Sequence, residues 1–171
     1  MIDYDPDLAP VGFTAKDLEL LSTLAISSRS QRIVEIQYLG DEHVGSTLAL
    51  SHALLETAGS LTSFVQDTAQ AAAASQHLEE AGLPPARFLT GDPLPQLLAL
   101  KGPVDLLFLA GEIDYSQALQ NTWDKLRPGS LVIVYRVRSD SDYLATVLED
   151  TAFETTVLEE GLGMAISLMK N

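Results

Sequence analysis

Short apolar runs alternate along this chain with longer segments in which apolar residues recur at helical spacing. Each of the first five runs has four to six residues and is bounded by polar or turn residues, which is typical of buried strands. The pattern predicts strands over about 32–36, 60–65, 87–90, 104–109 and 131–135. It predicts helices over about 14–27, 46–57, 67–82, 93–100, 115–126 and 142–150. A strand followed by a helix is therefore the expected repeating unit.

The C-terminal segment departs from this alternation. Residues 153–158 and 164–168 have strand patterns, and only the short stretch from Glu159 to Gly163 separates them. Because this stretch leaves no room for a helix, we expect the two strands to pair as a hairpin. The whole pattern predicts a doubly wound α/β sheet of about seven strands, mostly parallel, with an antiparallel hairpin at the C-terminal end.

The first predicted helix precedes the sheet and has no strand partner of its own. Thr14 and Asp17 have the spacing of a capping box at its start. Its leucines cover more than one face of the helix: Leu18, Leu20, Leu21 and Leu24. We expect this helix to pack on the edge of the sheet. We also expect its remaining apolar surface to form the interface of a homodimer.

Composition and charge narrow the classes of function. The chain has 171 residues, 46% of them hydrophobic, which predicts a single folded domain over 1–171. Its formal charge of −14 disfavours nucleic acid and anionic membrane as partners. It has no cysteine, which excludes disulfides, thiolate nucleophiles and cysteine zinc sites. The chain has no apolar run of membrane-spanning length and no basic signal-peptide start, so we expect a cytoplasmic protein.

Several short motifs occur in an order that is typical of one enzyme family. They are Val34-Glu35-Ile36 with Ser46-Thr47-Leu48, then Gly59 to Ser63, Gly91-Asp92-Pro93, Asp105 to Leu109, and Leu126 to Val132. From about residue 14 to its end, the chain resembles the S-adenosylmethionine-dependent O-methyltransferases of the catechol and caffeoyl-CoA type. The resemblance implies a Rossmann-like methyltransferase core over 31–171 after an N-terminal helical extension over 1–30. The family commonly forms dimers, which agrees with the expected homodimer.

The resemblance places the methionine end of S-adenosylmethionine beside the loop after the first strand. The contacts that it implies are Glu35, Gly40, Gly45 and Ser46. The family has glycine directly after this strand, where the backbone approaches the cofactor, and this chain has Gln37 there. A second interpretation stays open, in which Glu35 binds backbone amides and Gly45 and Ser46 only begin a helix.

The implied contacts to the nucleoside are also altered. In the family, a carboxylate at the end of the second strand accepts hydrogen bonds from both ribose hydroxyls. The aligned residue here is Val65. Asp67 could replace that carboxylate, or it could be only a helix N-cap. Asp92 matches the family's acidic residue near the adenine, and its alternative role is to stabilise the turn between Gly91 and Pro93.

The metal-dependent members of the family hold Mg²⁺ with several oxygen ligands. The aligned positions here are Ala110 for the first ligand and Tyr135 with Arg136 for the later pair, while Ile113 replaces the lysine base. Glu112 and Asp114 are nearby carboxylates, but a solvated loop and helix start explains them. We therefore expect no metal, and we assign no catalytic residue.

Two hypotheses of different class follow from these departures. The first is a metal-independent methyltransferase that acts on a small-molecule acceptor, whose identity the sequence does not indicate. The second is a non-catalytic binding or interaction protein that keeps the fold and has lost the cofactor site. A nicotinamide-dependent dehydrogenase is disfavoured, because the first strand is not followed by closely spaced glycines and the C-terminal hairpin is wrong for that fold.

Overall fold

The computed structural model describes residues 13–38, 44–137, 140–160 and 163–171. The helices are α1 (Ala15–Ser27), α2 (Gly45–Thr57), α3 (Thr68–Glu80), α4 (Pro93–Ala99), α5 (Tyr115–Thr122) and α6 (Ser141–Glu149). The strands are β1 (Arg32–Tyr38), β2 (Ser60–Phe64), β3 (Arg87–Leu89), β4 (Leu106–Gly111), β5 (Leu131–Tyr135), β6 (Phe153–Leu158) and β7 (Met164–Met169). A short 3₁₀ turn over Trp123–Lys125 extends α5.

The strands form one seven-stranded sheet in the order β3-β2-β1-β4-β5-β7-β6. The pairs among β1 to β5 are parallel, whereas β7 runs antiparallel to both β5 and β6. This confirms the predicted doubly wound α/β sheet and its antiparallel C-terminal hairpin. The strand order reverses between β1 and β4, which puts a topological switch point at the carboxyl ends of these two strands.

The central strands are buried on both faces, because helices cover each side of the sheet. Ile33 of β1 belongs to an apolar cluster with Leu50 and Leu54 of α2, on one face. Val34 and Ile36 belong to the cluster on the opposite face, which includes residues of α4, α5 and α6. Such two-sided burial explains why the strands are continuous apolar runs in the sequence.

The first helix begins with the predicted capping box. The Thr14 N–H donates to Asp17 Oδ2 at 2.9 Å, and the Asp17 N–H donates to Thr14 Oγ1 at 3.2 Å. The expected position of α1 at the edge of the sheet is wrong. Leu21 and Ala25, one helical turn apart, are buried in the cluster of β1, β4, β5 and α2, so α1 lies over the middle of one face. Part of the leucine surface that was expected at a homodimer interface is therefore buried against the protein's own sheet and α2.

None of the helices in the described ranges is long and apolar enough to cross a membrane.

Candidate functional site

A cavity of about 440 Å³ opens at the carboxyl ends of β1, β2, β3 and β4. Open α/β sheets bind ligands at this edge, where the strand order reverses. The volume is also within the range of small-molecule sites, about 300–1,000 Å³. The lining residues are Tyr38, Gln66, Gly91, Asp92, Pro93, Leu94, Glu112, Ile113 and Asp114. This cavity, called the switch-point cavity below, is the candidate ligand site.

Tyr38 at the end of β1 connects two walls of the switch-point cavity. Its hydroxyl donates to the Gly91 carbonyl at 2.6 Å. Partial burial and the nearby Asp92 carboxylate raise the pKa of the Tyr38 hydroxyl, so it stays a donor at neutral pH. Gly91 has a φ of +93°, a conformation that glycine adopts without strain. The Tyr38 ring therefore fixes the loop between β3 and α4 beside the cavity.

The charged residues of the switch-point cavity are all acidic. Asp92 caps α4 by accepting from the Leu94 N–H at 3.0 Å, and Asp114 caps α5 by accepting from the Gln117 N–H at 2.8 Å. Glu112 is exposed between them. No lysine or arginine is among the described residues that line the cavity. The cavity therefore suits a neutral or cationic ligand with amino groups, and it disfavours phosphates.

Asp92, predicted to lie near the adenine, lines the switch-point cavity, and it also has the turn-stabilising contact of the alternative interpretation. Asp67 does not line the cavity. It is the N-cap of α3, and its Oδ1 accepts from the Gln70 N–H at 2.8 Å. Val65 is buried, and the neighbouring Gln66 is the residue after β2 that lines the cavity.

Glu35 is fully buried in the middle of β1, and its carboxyl is the centre of a hydroxyl network. It accepts from Ser46 Oγ, from Thr47 Oγ1 at 2.8 Å and from Ser63 Oγ at 2.9 Å. Burial raises the pKa of this carboxyl, and the three hydroxyl donors partly oppose that shift. The network joins β1 to β2 and to the first turn of α2. The structure thus brings Glu35 and Ser46 together, with the Glu35 carboxyl enclosed by hydroxyl groups.

Gly45 is the first residue of α2, and Val44 is its N-cap. A Cβ atom at Gly45 would lie 3.1 Å from the Leu18 side chain, so a larger residue there would require Leu18 to shift. Gly40, the remaining predicted contact, lies outside the described residues.

Three glutamines near the switch point form a hydrogen-bonded chain that the sequence reasoning missed. The Gln66 N–H donates to Gln70 Oε1 at 2.9 Å, and Gln70 Nε2 donates to Gln37 Oε1 at 2.6 Å. Gln37 is 1% exposed, and its Nε2 has no partner among the described residues. The one feature of the sequence that could have indicated this chain of glutamines is Gln37, which stands where the family has glycine.

The ends of β4 and β5 are fixed by a buried tyrosine. The Tyr115 hydroxyl lies 2.8 Å from the Gly111 carbonyl and 3.1 Å from the Tyr135 carbonyl. Burial raises the pKa of Tyr115 to about 12, so the hydroxyl keeps its proton. Gly111 has a φ of +106°, and a Cβ there would overlap the Tyr38 carbonyl. Only glycine allows β1 and β4 to approach so closely at the cavity.

The positions aligned with the family's metal ligands are Ala110, buried in β4, and Tyr135, buried at the end of β5. Within the described ranges, no three histidine, aspartate or glutamate side chains are placed to hold a metal ion together. Glu112 and Asp114 lie at the rim of the switch-point cavity.

A second cavity, of about 430 Å³, lies where α1 meets the end of β5 and the β6–β7 hairpin. Leu20, Tyr135, Leu158 and Met164 supply much of its apolar wall, and Lys16, Asp17, Glu159 and Glu160 are its charged residues. It will be called the hairpin cavity. Its apolar walls and mixed charges suit a small amphipathic molecule.

The fold is shared with solved methyltransferase structures. A methyltransferase from Geobacter sulfurreducens is 17% identical, with a TM-score of 0.80 over 100% of this chain and 91% of that chain. The O-methyltransferase TomG from Streptomyces achromogenes, involved in tomaymycin synthesis and solved with S-adenosylmethionine, is 23% identical, with a TM-score of 0.80 over 96% of this chain and 84% of that chain.

An O-methyltransferase from Bacillus cereus, solved with S-adenosylhomocysteine, is 20% identical, with a TM-score of 0.76 over 96% of this chain and 85% of that chain. No protein-family model and no curated protein matches the sequence. The similarity therefore establishes that this chain has the O-methyltransferase fold across almost its whole length.

Proposed function

We propose that this protein is an S-adenosylmethionine-dependent O-methyltransferase that acts on a small molecule without the metal site of the catechol type. The observation that carries the proposal is the switch-point cavity, which lies at the ligand-binding edge of a fold shared with structures that contain S-adenosylmethionine or S-adenosylhomocysteine.

The residues of the switch-point cavity fit a nucleoside. Tyr38, Pro93, Leu94 and Ile113 give apolar surface for a flat base. The carboxylates of Asp92 and Glu112 can accept hydrogen bonds from an exocyclic amino group. Gln66 lines the cavity after β2, and we assign it to the ribose, where its side chain would offer one acceptor oxygen and two N–H donors in place of a carboxylate.

The methionine end of the cofactor would extend toward the first turn of α2. Gly45 and Ser46 begin this helix, whose N-terminal end favours negative charge through the helix dipole. The Glu35 carboxyl holds this turn in place by accepting hydrogen bonds from the Ser46 and Thr47 hydroxyls. Glu35 is thus a positioning residue for the turn.

Bound S-adenosylmethionine would supply an electrophilic methyl group on a sulfonium centre. The protein's part in such a transfer is mainly to align the acceptor and to exclude water. The acidic rim of the switch-point cavity also suits a cofactor that carries a positive charge. We place the acceptor in the hairpin cavity, beside the end of β5. The acceptor hydroxyl would also have to give up its proton to a base as the new bond to the methyl group forms and the bond from sulfur to the methyl group breaks. We assign no residue as that base and none as a metal ligand.

Calorimetric titration with S-adenosylhomocysteine tests the proposal. Without a ribose carboxylate, two charge-assisted hydrogen bonds are missing, which weakens binding by roughly 30- to 150-fold, since about 2–3 kcal/mol is lost. We therefore expect measurable but weak binding, and the same affinity with and without Mg²⁺. Absence of heat at millimolar ligand would overturn the proposal, and dependence on Mg²⁺ would overturn its metal-independent part.

A non-catalytic binding protein is the second candidate function. It is favoured by the loss of the ribose carboxylate, since Val65 is buried in the aligned position, and by Gln37 at the glycine position. The same titration separates the two candidates, because only the methyltransferase proposal requires the cofactor to bind.

A further inference from the structure

A third cavity, of about 390 Å³, lies between α5 and α6, on the face of the sheet opposite α1. Its volume is within the range of small-molecule sites, about 300–1,000 Å³. No described residue lines both this cavity and the switch-point or hairpin cavity. It will be called the α5–α6 cavity. Its lining residues are Ser116, Leu119, Gln120, Trp123, Thr146 and Asp150.

The direction of the chain brings Trp123 and Asp150 to the same end of the α5–α6 cavity. The helices α5 and α6 follow the parallel strands β4 and β5, and both helices run back from the carboxyl ends of these strands. Trp123 is the first residue after α5, and Asp150 is the first residue after α6. The two residues therefore lie near the amino ends of the strands, at the edge of the sheet opposite the switch-point cavity.

Trp123 gives the α5–α6 cavity an aromatic wall. It is the single tryptophan of the chain, and it is 38% exposed. Its ring packs edge to face with the buried Phe153 ring, with centroids 5.5 Å apart and planes at 86°. This contact holds the indole in place from the side of the core, while Trp123 also lines the cavity beside Leu119. The negative π face of an exposed indole attracts organic cations.

Asp150 is the charged residue among the described residues that line the α5–α6 cavity. Its Oδ1 accepts from the Ala152 N–H at 2.8 Å, and no described lysine, arginine or histidine forms an ion pair with it. The nearby Lys125 is paired with Asp124 at 2.8 Å. Asp150 is also the C-cap of α6, whose last turn has no basic residue, so the helix dipole adds to the negative charge there. The cavity therefore combines an aromatic wall with a negative charge that no described cation neutralises.

We propose that the α5–α6 cavity binds a small organic cation, an alkylated ammonium ion that contacts the Trp123 ring and the Asp150 carboxylate. Its alkyl groups match the apolar surface of the indole and of Leu119, and its charge is attracted by both the indole and the carboxylate. An anion would be repelled by Asp150, and a neutral molecule would gain nothing from it. The inference goes beyond the proposed function and does not depend on it.

The single tryptophan makes the test direct, because tryptophan fluorescence of the wild type reports on this cavity alone. The protein is titrated with choline and with 3,3-dimethyl-1-butanol, in which a carbon atom replaces the charged nitrogen of choline at nearly the same shape. Sodium chloride at matched ionic strength is the salt control. We expect a saturable change in emission with choline, half complete at about 1–20 mM, since so small a ligand binds weakly. The neutral alcohol should bind at least about fivefold more weakly.

Substitutions then separate the charge from the ring. D150N removes the charge and keeps an oxygen for the Ala152 N–H, so the end of α6 should keep its fold. The matched control is D142N, which removes the same charge at an exposed position about 12 Å along α6 from Asp150. We expect D150N to bind choline about three- to tenfold more weakly, and D142N to bind it like the wild type. W123L, followed by ligand-observed nuclear magnetic resonance, should bind choline at least about fivefold more weakly.

Other results would overturn the inference. If sodium chloride changes the emission as choline does, the effect is one of ionic strength and the site does not exist. Equal affinity for choline and the neutral alcohol would remove the preference for a cation. Equal weakening by D150N and D142N would mean that the overall negative charge of the protein, and not Asp150, attracts choline. If W123L does not fold, the two ligands and the two aspartate variants still decide. These titrations contain no cofactor, so their failure is distinguishable from failure of the proposed function.

Discussion

Replacing Glu35 by alanine should destabilise the fold strongly, although Glu35 is an acidic residue in an apolar strand. Three buried hydroxyls, those of Ser46, Thr47 and Ser63, would lose their acceptor at once. At about 1 kcal/mol for each lost partner, this costs about 3 kcal/mol. The cavity left by the side chain adds to the loss, and relief from burying a carboxyl subtracts from it. We expect a net loss of about 2–4 kcal/mol.

Urea unfolding followed by far-ultraviolet circular dichroism measures this loss. Because domains of this size have a free energy of unfolding of about 5–15 kcal/mol, E35A could be too unstable to purify, and S63A then serves as the milder variant. S63A removes one donor and leaves Thr47 on the same carboxylate oxygen, so we expect a loss of about 1–2 kcal/mol. The control is E56A, at an exposed position of α2, which should change stability by less than about 0.5 kcal/mol.

The reasoning would be refuted if E35A unfolded within about 1 kcal/mol of the wild type while E56A behaved as expected. That result would mean that the three hydroxyls find other acceptors, and that the contacts of Glu35 do not hold α2 to β1 and β2. Glu35 could then no longer be a positioning residue for the first turn of α2.

Three further predictions concern the same edge of the sheet. Burial raises the Glu35 pKa, so the folded state holds this proton more tightly than the unfolded chain, and the wild type should lose stability relative to E35Q as pH rises above the ordinary value of 4.5. A difference in unfolding free energy that is constant with pH contradicts this. G111A should lower the melting temperature by about 4–8 °C, or about 2 kcal/mol, because its Cβ would overlap the Tyr38 carbonyl, whereas G129A, open around its Cβ, shares only the positive-φ strain. Q66E should strengthen S-adenosylhomocysteine binding about tenfold in calorimetry by restoring a carboxylate for the ribose, and weaker binding would place the ribose elsewhere.

Much of the fold could be predicted because burial on both faces makes each central strand an unbroken apolar run. The errors in the predicted strand bounds fall where hydrogen bonds outside the sheet determine where a strand begins. Residue 104 belongs to the predicted fourth strand, but the Val104 N–H donates to the Lys125 carbonyl, and β4 begins at Leu106. The position of α1 was missed for another reason: its leucine pattern shows which side of the helix is buried and says nothing of which surface covers it.

The candidate site was less predictable, because its parts meet only in three dimensions. Gln37 and Gln70 are 33 residues apart, and the direction of their hydrogen bonds depends on the backbone N–H of Gln66. Asp67 shows the opposite case, since its short-range contact with the Gln70 N–H follows a local rule for helix N-caps. Sequence reasoning therefore identified helix caps such as Thr14 and offered the N-cap as one interpretation of Asp67, and it missed the hydrogen-bonded glutamines that join two strands and a helix.

The glutamine chain also bears on the choice between the two candidate functions. If the cofactor site had simply been lost, the space released at the glycine position could have been filled by an apolar side chain, which costs nothing in hydrogen bonds. Gln37 is instead a buried amide whose Nε2 has no partner in the described part of the chain, and such a group costs about 1–3 kcal/mol unless a ligand or an ordered water completes it. A permanent cost of that size is easier to explain if the donor has a partner in the working state. Gln37 in place of the family's glycine is thus better explained by a changed cofactor site than by a lost one. In the changed site, a side-chain hydrogen-bond donor replaces the close backbone approach that glycine allows.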